Sequence, residues 1–158
     1  MKIPAALFAL GLASLIHPAF AAPVELPQYG FKIEPLDAAA PSETTVTALA
    51  TFLPPSDGFA PNINVQIQPY AGTIKDYAEL SKGQFDQFKL RVLASEFKGD
   101  REWAAEYEGP LQGTLLHVYA RAISKDGKIY LVTATATPAQ WAVVGARLKK
   151  HVDSFATK

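Results

Sequence analysis

The sequence predicts an α+β domain in which an antiparallel sheet packs against two helices. Several short segments alternate apolar and polar residues, as strands with one buried face do. Two longer segments repeat their apolar residues every three or four positions, and each begins with a capping sequence. In chain order the elements are β-β-α-β-β-β-β-α. The pattern leaves open whether each face of the sheet carries one helix or one face carries both.

The first 21 residues have the composition of a cleavable signal peptide. Lys2 supplies a positive start, an apolar run extends from Ile3 to Ile16, and Ala19-Phe20-Ala21 has the small-x-small pattern of a cleavage site. We therefore predict cleavage after Ala21 and a periplasmic or secreted mature protein that begins at Ala22. No later apolar segment is long enough to cross a bilayer, so we expect no stable membrane insertion of the mature chain.

Composition divides the rest of the chain into two parts and excludes several function classes. Residues 22–43 are rich in proline and alanine and predict an extended arm, and residues 44–158 predict one compact domain. Lys2 is the only charged residue of the leader, so the mature chain carries 14 basic and 15 acidic residues, a net charge of −1. This balance argues against nucleic acid as a partner. The absence of cysteine excludes disulfides, thiolate metal sites and a lipid-modified cysteine.

The first half of the predicted domain contains two strands and a helix. A first strand is predicted from alternating Val46, Ala48, Ala50 and Phe52, followed by a turn rich in proline. A second strand, 62–68, places isoleucine and valine on one face and amides on the other. Thr73 and Asp76 form a capping box for the helix. Its apolar stripe consists of Ile74, Tyr77, Ser81, Phe85 and Phe88.

The second half contains four strands and the last helix. The strands are predicted near 90–95, at 102–108 with Gly109-Pro110 as the turn that ends it, at 114–123, and at 129–136 after an Asp126-Gly127 hairpin. The last helix begins with Thr137 as cap, proline at its first position and Gln140 completing a capping box. Its apolar stripe predicts a buried face and consists of Trp141, Val144, Leu148, Val152 and Phe155.

Five short segments of the predicted domain carry a family resemblance: Phe59–Val65, Tyr77–Leu80, Ala105–Gly109, Tyr130–Ala136 and Asp153–Phe155. Together they resemble the PsbP-like/DcrB-like domain over roughly Thr44 to Phe155. The resemblance implies an α/β/α sandwich and a non-enzymatic role as a partner-binding subunit, adaptor or chaperone. Many exported DcrB-like proteins carry a lipoprotein cysteine, which this sequence lacks.

His117 is the main candidate for chemistry because it is the only histidine within a predicted strand. If Glu106 and Glu108 lie on the neighbouring strand, the three side chains could form an acid–base or metal cluster. The favoured interpretation is a histidine that is satisfied by local hydrogen bonds. The sequence contains no Gly-x-Ser-x-Gly nucleophile elbow, and its spacing predicts no catalytic residue, metal or cofactor.

Phe59 is the candidate for partner contact because it lies at a loop tip between Gly58 and Pro61. The favoured alternative is that this ring folds back over one end of the sheet. The amides of the second strand could bind a ligand, although an ordinary solvated strand face is the favoured interpretation. These amides are Asn62, Asn64, Gln66 and Gln68.

The sequence thus predicts an exported, non-enzymatic interaction domain that acts by surface contact with an unidentified envelope protein. The alternative is an exported hydrolase or metal-dependent enzyme that uses His117 with nearby carboxylates. A pocket on which His117, Tyr119 and a carboxylate converge would favour this alternative. The oligomeric state stays open.

Overall fold

A computed structural model describes residues 24–26, 30–33 and 45–158, so the predicted leader lies outside the described residues. In the predicted arm, strands β1 (Val24–Leu26) and β2 (Phe31–Ile33) pair antiparallel, with Val24 opposite Ile33. This hairpin belongs to a first unit of the chain, and a second unit begins at Pro41.

The second unit is built on a six-stranded antiparallel sheet with the strand order β3-β4-β8-β7-β6-β5. The predicted order β-β-α-β-β-β-β-α is confirmed from β3 onward, and so is the α+β class. Strands β3 and β5 are the two edges of the sheet. The elements are β3 (Val46–Phe52), β4 (Asn62–Pro69), α1 (Ile74–Gln87), β5 (Arg91–Phe97), β6 (Glu102–Leu111), β7 (Thr114–Lys125), β8 (Lys128–Ala136) and α2 (Pro138–Asp153).

The two helices pack against opposite faces of the sheet, which makes the unit an α/β/α sandwich. On one face Phe85 of α1 stacks near Trp103 of β6, with ring centroids 6.2 Å apart. On the other face Leu148 and Val152 of α2 pack in a buried cluster with Val132 of β8. The structure therefore resolves the choice that the sequence pattern left open. It also agrees with the architecture that the resemblance implied.

Both predicted capping boxes are present. The Thr73 hydroxyl accepts a hydrogen bond from the Asp76 backbone N–H, and the Asp76 carboxylate accepts one from the Thr73 backbone N–H. Thr137 and Gln140 make the same reciprocal pair at the start of α2, where Pro138 occupies the first turn. These caps fix where each helix begins because they satisfy N–H groups that have no partner within the helix.

The predicted alternation along the first strand is wrong because β3 contains a β-bulge. The pairing of β3 with β4 shifts by one residue between Thr47 and Leu49. Beyond the bulge each side chain lies on the opposite face from the one that a regular strand would give it. Val46 and Leu49 therefore share the α2 face, and Phe52 lies on the α1 face of its strand.

The prediction that Gly109 and Pro110 end their strand is wrong. Both residues belong to β6, which continues to Leu111. The turn consists of Gln112 and Gly113, both with positive φ. Proline is tolerated here because β5 pairs with β6 only as far as Glu108, so Pro110 lies where β6 has no neighbour on that side.

Phe88 does not belong to the buried stripe of α1. It is the C-cap residue of the helix and 56% exposed, because the chain leaves the helical path there before Lys89. The buried aromatic residue that the sequence did not single out is Trp103, which is 2% exposed. Its indole N–H donates a 2.9 Å hydrogen bond to the Ser95 hydroxyl.

Candidate functional site

The structure brings His117 together with both glutamates that the sequence suggested. His117 on β7 pairs opposite Glu108 on β6, and Glu106 lies two residues further along β6, on the same face. Nδ1 of His117 lies 2.7 Å from Oε1 of Glu108, and Nε2 lies 2.7 Å from Oε1 of Glu106. Both ring nitrogens thus face carboxylate oxygens, and a ring nitrogen that carries a hydrogen donates it to the carboxylate beside it.

Each glutamate also pairs with a lysine or an arginine side chain. The Lys149 ammonium from α2 donates to Oε2 of Glu106 at 2.7 Å, and the Arg91 guanidinium from β5 donates to Oε2 of Glu108 at 2.5 Å. The indole of Trp141 stacks on the imidazole, with centroids 4.1 Å apart and planes inclined by 20°. We call these residues of three strands and one helix the His117 network: Arg91, Glu106, Glu108, His117, Trp141 and Lys149.

The cations of the network keep both carboxyl groups ionised. Burial alone would raise the pKa of Glu106, but hydrogen bonds from Lys149 and His117 outweigh it and lower that pKa. The hydrogen bonds from His117 and Arg91 lower the pKa of Glu108. A general acid needs a pKa raised toward the working pH. Neither glutamate is therefore suited to donate a proton at neutral pH.

The geometry of the network also gives a metal ion no common point of attachment. The two glutamates contact opposite nitrogens of one imidazole ring, so the ring lies between them. Across residues 45–158, no group of three or more His, Asp or Glu side chains is placed to hold a metal ion. The predicted proximity of His117 to the carboxylates is thus confirmed, but the arrangement is that of a closed ionic network.

Further polar contacts fasten α2 to the sheet on the same side. The Tyr119 hydroxyl donates to Asp153 at 2.9 Å, and burial together with this bond raises the pKa of Tyr119. Arg121 makes two hydrogen bonds to Glu102 at 2.9 and 3.0 Å, and it also donates to the Val152 carbonyl near the end of α2. The helix is therefore held along its β6 side by polar contacts.

On its other side, toward β3, α2 borders an open groove. One cavity of about 450 Å³ lies beside the C-terminal half of the helix, and a second of about 380 Å³ lies beside the N-terminal half. Leu53, Pro61 and Arg147 line both cavities, so the two adjoin at these residues. We call them together the α2–β3 groove. Its walls also include Leu49, Ile63, Val65, Val143, Val144, Leu148, His151 and Phe155.

Two apolar side chains of this groove are well exposed to solvent. Val143 of α2 is 83% exposed, and Leu49 of β3 is 51% exposed. Single exposed apolar residues are normal on a protein surface, whereas these two border cavities that are themselves lined largely by apolar side chains.

The two edge strands of the sheet differ in charge. β5 contains Arg91 and Glu96 and is flanked by Lys89 and Lys98, which is a common protection against pairing with another strand. β3 reads VTALATF, without a charged residue, and all seven of its residues are exposed. Among residues 45–158, the edge beside the groove is therefore the one that lacks charged residues to oppose pairing with a further strand.

Phe59, the residue predicted to contact a partner, is half-buried in the loop between β3 and β4. The Gln140 side chain fixes this loop by donating to the carbonyls of Ser56 at 2.8 Å and Phe59 at 2.9 Å. A role for Phe59 in partner contact stays a prediction.

The amides of β4 are half-buried on the α1 face and bond locally. The Tyr77 hydroxyl donates to Gln68 at 2.9 Å, and Asn62 donates to the Ala60 carbonyl at 3.1 Å. Among the described residues, only Asn64 Oδ1 is a buried side-chain oxygen or nitrogen atom without a hydrogen-bond partner.

Sequence reasoning missed the groove. Leu49, Pro61 and Arg147 come from three separate stretches of the sequence, and none forms a motif with its neighbours. The one signal in the sequence was the lack of charge in 46–52, which stands out only once β3 is known to be an edge.

No known protein family matches the sequence, and no curated protein matches it either. Among solved structures, the chain is similar to PA94 from Pseudomonas aeruginosa, a protein of unknown function, with a TM-score of 0.58 and 14% identity over 87% of this chain and 96% of that one. It also matches cyanobacterial PsbP (CyanoP) from Synechocystis sp. PCC 6803, with a TM-score of 0.46 and 14% identity over 94% and 99% of the two chains. At this identity the likeness to PA94 concerns the fold alone, and the DcrB-like part of the predicted resemblance stays a prediction.

Proposed function

We propose that the protein is an exported, non-catalytic domain that binds a partner protein through the α2–β3 groove. The observation that carries this proposal is the combination of an apolar groove with an uncharged, exposed edge strand beside it. The leader-like sequence of residues 1–21 supports export. Within residues 45–158 no helix is long and apolar enough to cross a membrane.

The His117 network supports the non-catalytic part of the proposal. Its carboxylates are each engaged by His117 and by one lysine or arginine side chain, and its imidazole is engaged on both nitrogens and covered by Trp141. A catalytic group needs a free position toward a substrate. We therefore assign the network to holding β5, β6, β7 and α2 together.

Crosslinking in the native host followed by affinity capture tests the binding surface. Leu49→Lys places a charge on the β3 edge at the groove, and Leu93→Lys makes the same change on the β5 edge as a matched control. Both leucines are partly exposed, at 51% and 39%, so we expect each change to cost less than about 1 kcal/mol of stability.

We expect Leu49→Lys to lose the crosslinked partner and Leu93→Lys to keep it. Equal capture by both variants would contradict the proposed surface. Phe59→Ala in the same assay tests the contact predicted for the loop, since loss of capture with unchanged stability would add Phe59 to the surface.

N-terminal sequencing of the exported protein tests the proposed export. We expect the mature chain to begin at Ala22, within one residue. If the full-length chain instead sediments with membranes, the leader acts as an uncleaved anchor and the proposed cleavage is wrong.

A further inference from the structure

We infer that the α2–β3 groove binds an extended segment of a partner protein, which pairs with β3 as an added strand and places an acidic side chain beside Arg147. This inference rests on the proposed function and specifies the chemistry of its partner. Strand addition at a sheet edge is a general mode of peptide recognition, in which backbone hydrogen bonds give affinity and pockets for alternate side chains give specificity.

The geometry of β3 favours strand addition over its second half. Beyond the bulge, four consecutive residues, Leu49–Phe52, pair regularly with β4, so their edge is that of an ordinary strand. The side chains of an added strand would point alternately to the two faces of the sheet. Every second side chain would therefore face the groove, where Leu49, Ile63 and Leu148 offer apolar contacts.

The charge of the groove indicates an acidic group in the segment. Arg147 lines both cavities, whereas Asp57, in the smaller cavity, is the one acidic residue that lines either. Among the described residues, no hydrogen bond or ion pair engages the Arg147 side chain. The groove extends to both sides of Arg147. We therefore expect the acidic group to be a side chain within the bound segment rather than the carboxylate at its C-terminus.

A second copy of the chain satisfies these features less well. Pairing of two β3 strands would bring together two uncharged segments, Val46–Phe52 from each copy. Such a pair supplies no carboxylate from β3 to Arg147. A partner segment with apolar residues at alternate positions and one Asp or Glu between them matches both the edge and the charge.

Selection from a phage-displayed library of random ten-residue peptides on the mature protein tests this inference. We expect the selected peptides to alternate apolar residues around one internal Asp or Glu. The best peptide, made with an amidated C-terminus, should bind Arg147→Gln about two- to fivefold more weakly, as for an exposed ion pair. Its Asp→Asn or Glu→Gln version should show the same loss and no further loss on Arg147→Gln.

Backbone N-methylation tests the strand pairing itself. N-methyl groups at alternate positions of the peptide remove either the N–H groups that pair with β3 or those that point away from it. We expect one set to weaken binding about tenfold or more and the other to leave it nearly unchanged. Equal tolerance of both sets, apolar residues at helical spacing, or a library that yields no binder would overturn the inference.

Three further results separate this inference from the proposed function. If Leu49→Lys abolishes capture in the host but no extended peptide is selected, the groove is an interface and its occupant is not a strand. If sedimentation shows a dimer of the mature protein that Leu49→Lys dissociates, the edge belongs to a second copy and the inference fails. If capture withstands Leu49→Lys while peptides bind, the proposed function fails on its own.

Discussion

Replacing His117 by alanine tests the assignment of the His117 network to stability. The change removes hydrogen bonds to Glu106 and Glu108, both 2.7 Å long, and the stacking contact with Trp141. Only 9% of the imidazole side chain is exposed, and the two carboxylate side chains are 16% and 20% exposed. The lost contacts are therefore largely shielded from water.

The expected loss follows from these contacts. A hydrogen bond to a charged group contributes about 1.5–3 kcal/mol, and an aromatic stack contributes about 0.5–1.5 kcal/mol beyond its buried area. In His117→Ala each carboxylate keeps one cationic partner, since Lys149 stays beside Glu106 and Arg91 stays beside Glu108. For two such hydrogen bonds and one stack the lower end of the sum is about 3.5 kcal/mol, and we expect the unfolding free energy to fall by about that amount.

Urea unfolding at pH 7 measures this loss, and Lys82→Ala provides a control. The ion pair of Lys82 with Glu79 has the same 2.7 Å distance, but its side chains are 45% and 70% exposed. We expect the control to change stability by less than about 0.5 kcal/mol. A loss below about 1 kcal/mol for His117→Ala would refute the structural assignment. Loss of function in a His117→Ala protein that unfolds like the parent would refute the non-catalytic proposal.

Two further predictions concern pH and helix packing. The folded protein lowers the pKa of Glu106 and Glu108 below the ordinary 4.5. The stability that these two groups contribute is therefore complete above about pH 4.5 and is lost as the pH falls further. Glu106→Gln should make this decline shallower when urea unfolding is measured between pH 3 and pH 7. Gly83→Ala should stabilise α1 by about 0.5–1 kcal/mol because nothing lies within 4 Å of the new Cβ. Gly145→Ala should destabilise by about 1 kcal/mol or more, because its Cβ would lie 2.8 Å from the Trp141 indole; equal effects in thermal unfolding would contradict this reasoning.

The helices and most strands could be predicted because their signals are local. The capping boxes at Thr73 and Thr137 involve residues three positions apart, and the Asp126-Gly127 turn carries the positive φ angles that a tight hairpin needs. The bulge in β3 could not be predicted, because it depends on how β3 pairs with a strand more than ten residues away. The position of Pro110 likewise depends on where β5 ends.

The candidate site was predictable only where strand register determined it. If 102–108 and 114–123 are neighbouring strands, Glu106 and Glu108 can lie beside His117. The pairing of the two strands places them there. Lys149 and Trp141 join them from α2, whose placement over this part of the sheet depends on tertiary packing. Trp141 is accordingly half-buried over a histidine rather than fully buried in the apolar core, as its position in the helical stripe had suggested.

The contacts of α2 hold the walls of the α2–β3 groove in place before a partner binds. Gln140 caps the helix and also holds the β3–β4 loop through the carbonyls of Ser56 and Phe59, so one side chain fixes two walls of the groove. At the other end Arg121 holds the carbonyl of Val152. A surface whose walls are already fixed loses less conformational entropy when a partner binds. Gln140→Ala should therefore weaken peptide binding although Gln140 lies at one end of the groove, and unchanged affinity in titration calorimetry would show that the loop does not need this anchor.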